Sequence, residues 1–140
     1  MYVNMDIAYS FKNKAAMVLL FNQGKILSVS RKNDKTKFGL VGGKVDEGET
    51  FVKAAIRECY EETGLEAFCL IPIFSRMEPG DVDFFAVVYL AQWKGEIHKT
   101  SEKETGEIKW CSWEELENGP FGAYNKALHK HLVDNELINE

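Results

Sequence analysis

The chain has 140 residues, of which 45% are hydrophobic and 28% charged, and carries a formal net charge of −5. That balance excludes a disordered chain and suits one globular domain spanning residues 1–140, while the acidic surplus speaks against a broad nucleic-acid-binding surface, which is ordinarily basic. The longest apolar runs, residues 15–21 and 84–91, fall far short of the roughly 20 residues a membrane helix needs, and residues 1–11 contain Asp6 and no apolar signal core, so the expected location is cytoplasmic.

Residues 14–21 form an apolar run of strand length. Asn22-Gln23-Gly24 is a turn signal, and residues 25–31 supply a partner strand through Ile26, Leu27 and Val29. The polar stretch 32–37 reads as a loop. Residues 38–41 are a short apolar segment running into Gly42-Gly43. The next element is a helix over 50–63, with Val52, Ala55, Ile56 and Cys59 as its apolar stripe and Gly64 as its stop. Asp46, Glu47 and Glu49 precede it, where negative charge suits the positive end of the helix dipole. Strands are expected over 66–76 and 82–93, joined by the turn Glu78-Pro79-Gly80-Asp81, with a short strand over 107–113. A second helix over 121–135 places Ala127, Leu128, Leu132 and Tyr124 inward. This order implies an α/β or α+β fold, a mixed sheet covered by helices. Cys59, Cys69 and Cys111 form no C-x-x-C pair and are odd in number, so they read as reduced thiols.

The helix over 50–63 carries the chemistry. Glu58, Glu61 and Glu62 stand at i, i+3 and i+4 and share one stripe. Like charges so placed repel, and a hard divalent cation with a preference for oxygen ligands would relieve the repulsion. Such a string by itself also suits a solvated helix face; its surroundings favour the cation. Arg57 can neutralise part of the stripe, Glu49 lies about two turns earlier and can reach the Arg57 fork, and Gly42-Gly43 permits a sharp turn and a close approach to a ligand.

Gly43, Glu49, then Arg57-Glu58-Cys59-Tyr60-Glu61-Glu62-Thr63-Gly64-Leu65 resembles the signature of the MutT/Nudix hydrolases, G-x5-E-x7-R-E-U-x-E-E-x-G-U with U aliphatic. Every charged and glycine position matches at the right spacing. The departures are Cys59 at the first aliphatic position, a small apolar stand-in, and Val41 where many members read proline. The resemblance implies a Nudix-type α/β/α sandwich with a central mixed sheet. It also implies metal-dependent hydrolysis of a phosphoanhydride bond in a nucleoside triphosphate or related nucleoside diphosphate derivative, with water attacking phosphorus. Alternative substrates are ADP-ribose and dinucleotides, and a non-catalytic nucleotide sensor is the alternative outside the enzymes.

Carried over residue by residue, the resemblance makes Glu58, Glu61 and Glu62 ligands of Mg²⁺ or Mn²⁺, with the Gly43 carbonyl completing the shell. Glu49 and Arg57 become an internal salt bridge. The general base is not fixed by the signature. Glu102, Glu104 and Glu107 form a dense supply of carboxylates before Trp110, and Glu104, followed by Thr105-Gly106, is the first choice as catalytic base. Arg31, Lys37 and Lys44 are candidates to meet phosphates, and Phe38, Phe74, Phe85, Phe121 and Tyr124 to stack a base. His98, His129 and His131 show no metal-ligand spacing beside carboxylates. The expected partner is a small nucleotide, with no nucleic acid and no membrane. Oligomeric state is open, a homodimer included.

Overall fold

The computed structural model describes residues 3–78, 84–98 and 106–138. Its elements, in chain order, are α1 (Met5–Ser10), β1 (Lys14–Leu19), β2 (Phe21–Asn22), β3 (Lys25–Arg31), β4 (Asp34–Lys44), α2 (Phe51–Thr63), β5 (Glu66–Glu78), β6 (Phe84–Lys94), β7 (Ile108–Cys111), α3 (Trp113–Glu117) and α4 (Gly122–Asp134).

The strands form a mixed sheet in the order β2-β3-β4-β1-β6-β5, with β7 added against β3. β1 lies at its centre, parallel to β6 and antiparallel to β4. Central strands buried on both faces read as continuous apolar runs, and residues 14–21 are such a run. Strand alternation then divides the core in two. Ala16 and Val18 of β1 and Val87 and Tyr89 of β6 face the layer holding Phe51, Ala54, Ala55 and Cys59 of α2. Leu19, Ala86 and Val88 face the opposite layer with Leu116 of α3 and Tyr124, Leu128 and Leu132 of α4. The result is the α/β/α sandwich with a mixed sheet that the resemblance implied.

Several boundaries differ from expectation. The polar stretch 32–37 is mostly strand: only residues 32 and 33 turn, and β4 begins at Asp34. β4 pairs with β3 at Asp34 and residues 38–40 and with β1 at residues 41–44, so its polar start is held by the hairpin with β3 rather than by its own propensity. The strand expected over 107–113 ends at Cys111, because Ser112 and Glu115 form a capping box that starts α3. Helix α1 was not expected; Asn4 caps it by accepting from the Ile7 amide. Of the expected turn Glu78-Pro79-Gly80-Asp81, Glu78 ends β5 and the rest lies outside the described residues. In α4 the inner face is Tyr124, Asn125, Leu128 and Leu132, with Ala127 half-buried.

No helix among the described residues is long and apolar enough to cross a membrane.

Candidate active site

Helix α2 begins where the Thr50 hydroxyl accepts from the Lys53 amide at 3.1 Å, and it ends at Gly64, whose φ of +79° is left-handed. Its buried face differs from the expected stripe. Val52 and Ile56 are 40% and 36% exposed. The inward positions are instead Phe51, Ala54, Ala55, Glu58, Cys59 and Glu62. Glu58 and Glu62 therefore continue the core stripe rather than lie beside it. They are only 7% and 6% exposed.

Two carboxylates can occupy core positions because Gly43 leaves room for Glu58 and the Gly42 amide meets Glu62. Gly42 and Gly43 of β4 pair with Met17 and Ala16 of β1, and α2 packs on both strands. A Cβ on Gly43 would sit 2.6 Å from Cδ of Glu58, and one on Gly42 would sit 2.3 Å from the Ala16 carbonyl oxygen. Gly42 also has φ +151°, which side-chain-bearing residues avoid. The Gly42 amide donates to Oε1 of Glu62 at 2.7 Å. A buried carboxylate needs such donors to offset its lost hydration.

Arg57 supplies the remaining counter-charge. Its Nε donates to Oε2 of Glu49 at 2.8 Å and its Nη2 to Oε1 of the same carboxylate at 3.0 Å, a two-pronged pair. Nη1 donates to Oε1 of Glu58 at 2.9 Å and to Oε2 of Glu61 at 3.2 Å, while Nη2 also reaches the Lys44 carbonyl at 3.0 Å. The Arg57 hydrogen bonds pull the Glu49 carboxyl below the usual range against the opposing effect of desolvation. The same contacts, Glu49 foremost, push the already high Arg57 pKa further up. One guanidinium thus ties the loop after β4 to Glu58 and Glu61.

A cleft of about 470 Å³ opens on the other face of the sheet, between the ends of β1, β4, β5, β6 and the start of α4. Gly42, Gly43 and Lys44 line it, as do Phe121 and Tyr124, two of the aromatics singled out from sequence. Gly42 and Gly43 belong both to this cleft and to the carboxylate helix.

The other sequence candidates lie elsewhere. Arg31 and Lys37 flank the turn between β3 and β4, at the opposite end of β4 from Gly43; Lys37 pairs with Asp34. Phe38 is half-buried beneath Lys109, whose Nζ lies 5.4 Å from its ring centroid. Phe74 packs edge-on against Tyr124, and Phe85 stacks on Phe11. None of these five lines the cleft. Glu107 is exposed, 3.4 Å from Lys35, and its amide donates to Ser30 Oγ at 2.7 Å. Glu102 and Glu104 lie outside the described residues. His98 donates its amide to the Thr63 carbonyl at the end of α2, and His129 pairs with Glu117.

Sequence reasoning missed Glu78, Phe84 and Asn125, all of which line the cleft. The strand parity of Phe84 against Phe85 was the only available signal. Among the described residues no three His, Cys, Asp or Glu side chains already converge as a ready metal cluster; the three glutamates are instead held by Arg57 and Gly42.

A family model described as the NUDIX domain matches residues 11–132. The chain belongs to the Nudix hydrolase family. It is 30% identical over 103 residues to a Bacillus subtilis protein named putative 8-oxo-dGTP diphosphatase, a match covering 71% of this chain and 66% of that one. It is 34% identical over 96 residues to Nudix hydrolase 2 of Arabidopsis thaliana, covering 66% of this chain and 34% of that protein. The matches thus span about two-thirds of the first relative and one-third of the second. A crystal structure of a MutT Nudix hydrolase from Burkholderia pseudomallei superposes with a TM-score of 0.72 at 25% identity, covering 84% of this chain and 95% of the other. Nudix hydrolases generally use divalent metals and act on small nucleotides.

Proposed function

We propose that this Nudix chain hydrolyses a phosphoanhydride bond of a nucleoside triphosphate, releasing monophosphate and pyrophosphate. The observation that carries the reading is the shared Gly42-Gly43 segment. One side of it receives the buried carboxylates of α2, and the other forms the wall of a nucleotide-sized cleft. A polyphosphate lying on these glycines would be separated from Glu58 and Glu62 by the strand backbone alone, with no side chain between. The Bacillus relative's name, which specifies a nucleoside triphosphate, points the same way.

The residues suit a divalent cation. The donors are hard oxygens on one helix stripe, and the absence of a Cβ at Gly43 leaves the Glu58 carboxyl in place. Glu58, Glu61 and Glu62, with the Gly43 carbonyl, would hold Mg²⁺ or Mn²⁺. When bound, the cation neutralises phosphate charge and acidifies a water. The chain's own groups do the rest. Arg57 fixes Glu58 and Glu61 in place, and the Gly42 amide fixes Glu62. Lys44, at the edge of the cleft, meets phosphate charge. The apolar walls from Leu40, Phe84 and Phe121 take the base and exclude water around it. Glu104 is the proposed acceptor of the attacking water's proton.

The test is a chromatographic assay of nucleoside triphosphates, dinucleoside polyphosphates, ADP-ribose and nucleotide sugars with Mg²⁺, with Mn²⁺ and with EDTA. Triphosphates are expected to be cleaved with metal and spared in EDTA. Cleavage confined to ADP-ribose or dinucleotides would move the substrate class, and binding without cleavage of anything would make the chain a sensor.

A further inference from the structure

β5 is an outer strand of the sheet. β6 pairs with one side of it, and no strand among the described residues pairs with the other. Such an edge is a template for another chain, and proteins ordinarily blunt it with lysines, bulges or proline. β5 carries no lysine. Its two bulges fall between Phe68 and Ile71 and between Pro72 and Phe74, so the irregular backbone and the missing proline N–H are confined to the middle of the strand. On either side the ladder is regular: residues 66–68 run against residues 92–94 of β6, and residues 74–78 against residues 84–88.

The pairing with β6 settles which side chains share a face. Opposed residues of an antiparallel pair point the same way, and so do alternate residues of a strand. Glu66, Phe68, Ile71, Phe74 and Arg76 stand opposite Lys94, Gln92, Leu90, Val88 and Ala86, the alternate positions of one strand. All five therefore lie on the face that α4 covers further in, where Ala86 and Val88 join its core layer. Along β5 this row reads acid, aromatic, isoleucine, aromatic, base. Phe68 and Phe74 stand three residues to either side of Ile71, and Glu66 and Arg76 five. The row is symmetric in shape and opposite in charge at its two ends. Ile71 is 57% exposed and Phe68 38%. Glu66 and Arg76 are exposed, and Phe74 is half-buried.

We propose that this edge pairs with β5 of a second copy of the chain, antiparallel about a twofold axis at Ile71. In that register Ile71 meets its own counterpart, Phe68 meets the partner's Phe74, and Glu66 meets the partner's Arg76. The axis makes each of the last two contacts twice. The apolar row and two short ladders of main-chain hydrogen bonds supply affinity, and the ion pairs fix the register. The bulged stretch opposes itself and needs no ladder, so Pro72 is no obstacle. A slip of one residue sets each side chain against a neighbour on the wrong face. A slip of two sets Glu66 against the partner's Glu78, like charges directly opposite, or in the other direction carries Arg76 past the end of the strand. The pairing uses both free edges of β5 at once, so it closes at a dimer.

The test is sedimentation velocity of the full chain at protein concentrations reaching about 200 µM. Wild type is expected to pass reversibly from monomer to dimer as concentration rises. Ile71→Lys places two like charges on the axis and is expected to remain monomeric throughout. Arg76→Glu and Glu66→Arg each replace two attracting pairs by two repelling ones, and each should weaken dimerisation by about 10-fold or more. Combining the two reversals restores opposite charges and should bring the dimer Kd back to within about three-fold of wild type. The three positions are exposed, so the Tm of each monomer should stay close to that of wild type; should Ile71→Lys fail to fold, the charge reversals still decide. A wild type that stays monomeric at every concentration overturns the proposal. So does a dimer indifferent to Ile71→Lys and Arg76→Glu, which would assemble through another face. A double reversal no stronger than the single ones overturns the register.

Discussion

Gly43→Ala is the substitution that separates the site from the scaffold. Gly43 does not have a positive φ, so alanine meets no backbone strain there. What the new methyl meets is the end of one side chain: Cδ of Glu58 at 2.6 Å and its two oxygens at 2.8 and 2.9 Å. Carbon atoms rest at about 3.5 Å or more, so the Glu58 carboxyl must retreat by about 1 Å. Glu58 is a flexible side chain with a hydrogen-bonded partner, and its retreat costs the fold little, at the low end of the overpacking range at about 1 kcal/mol. For a chain of this size that is a fall in Tm of about 3–5 °C. The site is far less tolerant. A displacement of about 1 Å in a group that positions the reaction costs about 100-fold in rate. Differential scanning calorimetry and steady-state kinetics on the same preparation give both numbers. A variant that keeps turnover within about three-fold of wild type would refute the placement of Glu58 at the reacting centre. A variant that loses Tm by more than about 10 °C would show the glycine to be chiefly structural.

Three further outcomes follow from the same geometry. Arg57→Lys keeps one charge but loses the fork that holds Glu49, Glu58 and Glu61 together. Chemical denaturation should show a loss of about 1–2 kcal/mol, and turnover should fall as well; unchanged stability would remove the clamp role. The Glu49 carboxyl is held below its usual range chiefly by Arg57. Its contribution is therefore complete above the ordinary glutamate pKa of about 4.3 and is lost as the pH falls through the lowered folded value. The Tm gap between wild type and Glu49→Gln should be full at pH 7 and close on acidification below about pH 4; a gap that widens in acid contradicts the pairing. Glu104→Gln should lower kcat by a factor of about 100 to 10,000 with metal affinity kept, and Glu102→Gln should do almost nothing. A loss at Glu107→Gln alone would move the base there, and no loss at any of the three would place it on α2.

The sequence made the catalytic helix legible because capping, spacing and charge agreed. Thr50, Gly64 and the i, i+3, i+4 glutamates are local signals, and α2 runs from Phe51 to Thr63 between those two caps. The helix's orientation was less legible. Periodicity alone favoured the apolar Val52 and Ile56 as inward, but in the sheet beneath Gly43 leaves room for the Glu58 carboxyl and the Gly42 amide meets Glu62. That outcome depends on register between β4 and α2, which no local pattern encodes. The polar residues of β4 were misjudged for a related reason: residues 34–37 form the outer end of a hairpin with β3, set by pairing at Asp34 and at residues 38–40 rather than by an apolar pattern of their own. Ser112-Trp113-Glu114-Glu115 did carry a local signal, a capping box, and the expected strand overran it. The cleft was the least legible feature. Its walls come from five elements far apart in the chain, and Glu78 and Asn125 gain meaning only where those elements meet.

The central claim is that buried carboxylates on α2 serve the attack of water on a nucleoside triphosphate across the Gly42-Gly43 segment. It is tested most directly by ³¹P NMR of a guanosine or adenosine triphosphate reaction with Mg²⁺, run with wild type and with Glu62→Gln. Glutamine can still accept from the Gly42 amide, so the variant keeps the bond that seats the side chain and loses only the charge. The expected result is pyrophosphate and monophosphate from wild type, with release slowed by about 100-fold or more in a variant of unchanged Tm. Wild type that releases nothing from any triphosphate, or a Glu62→Gln protein that matches its rate, would contradict the account.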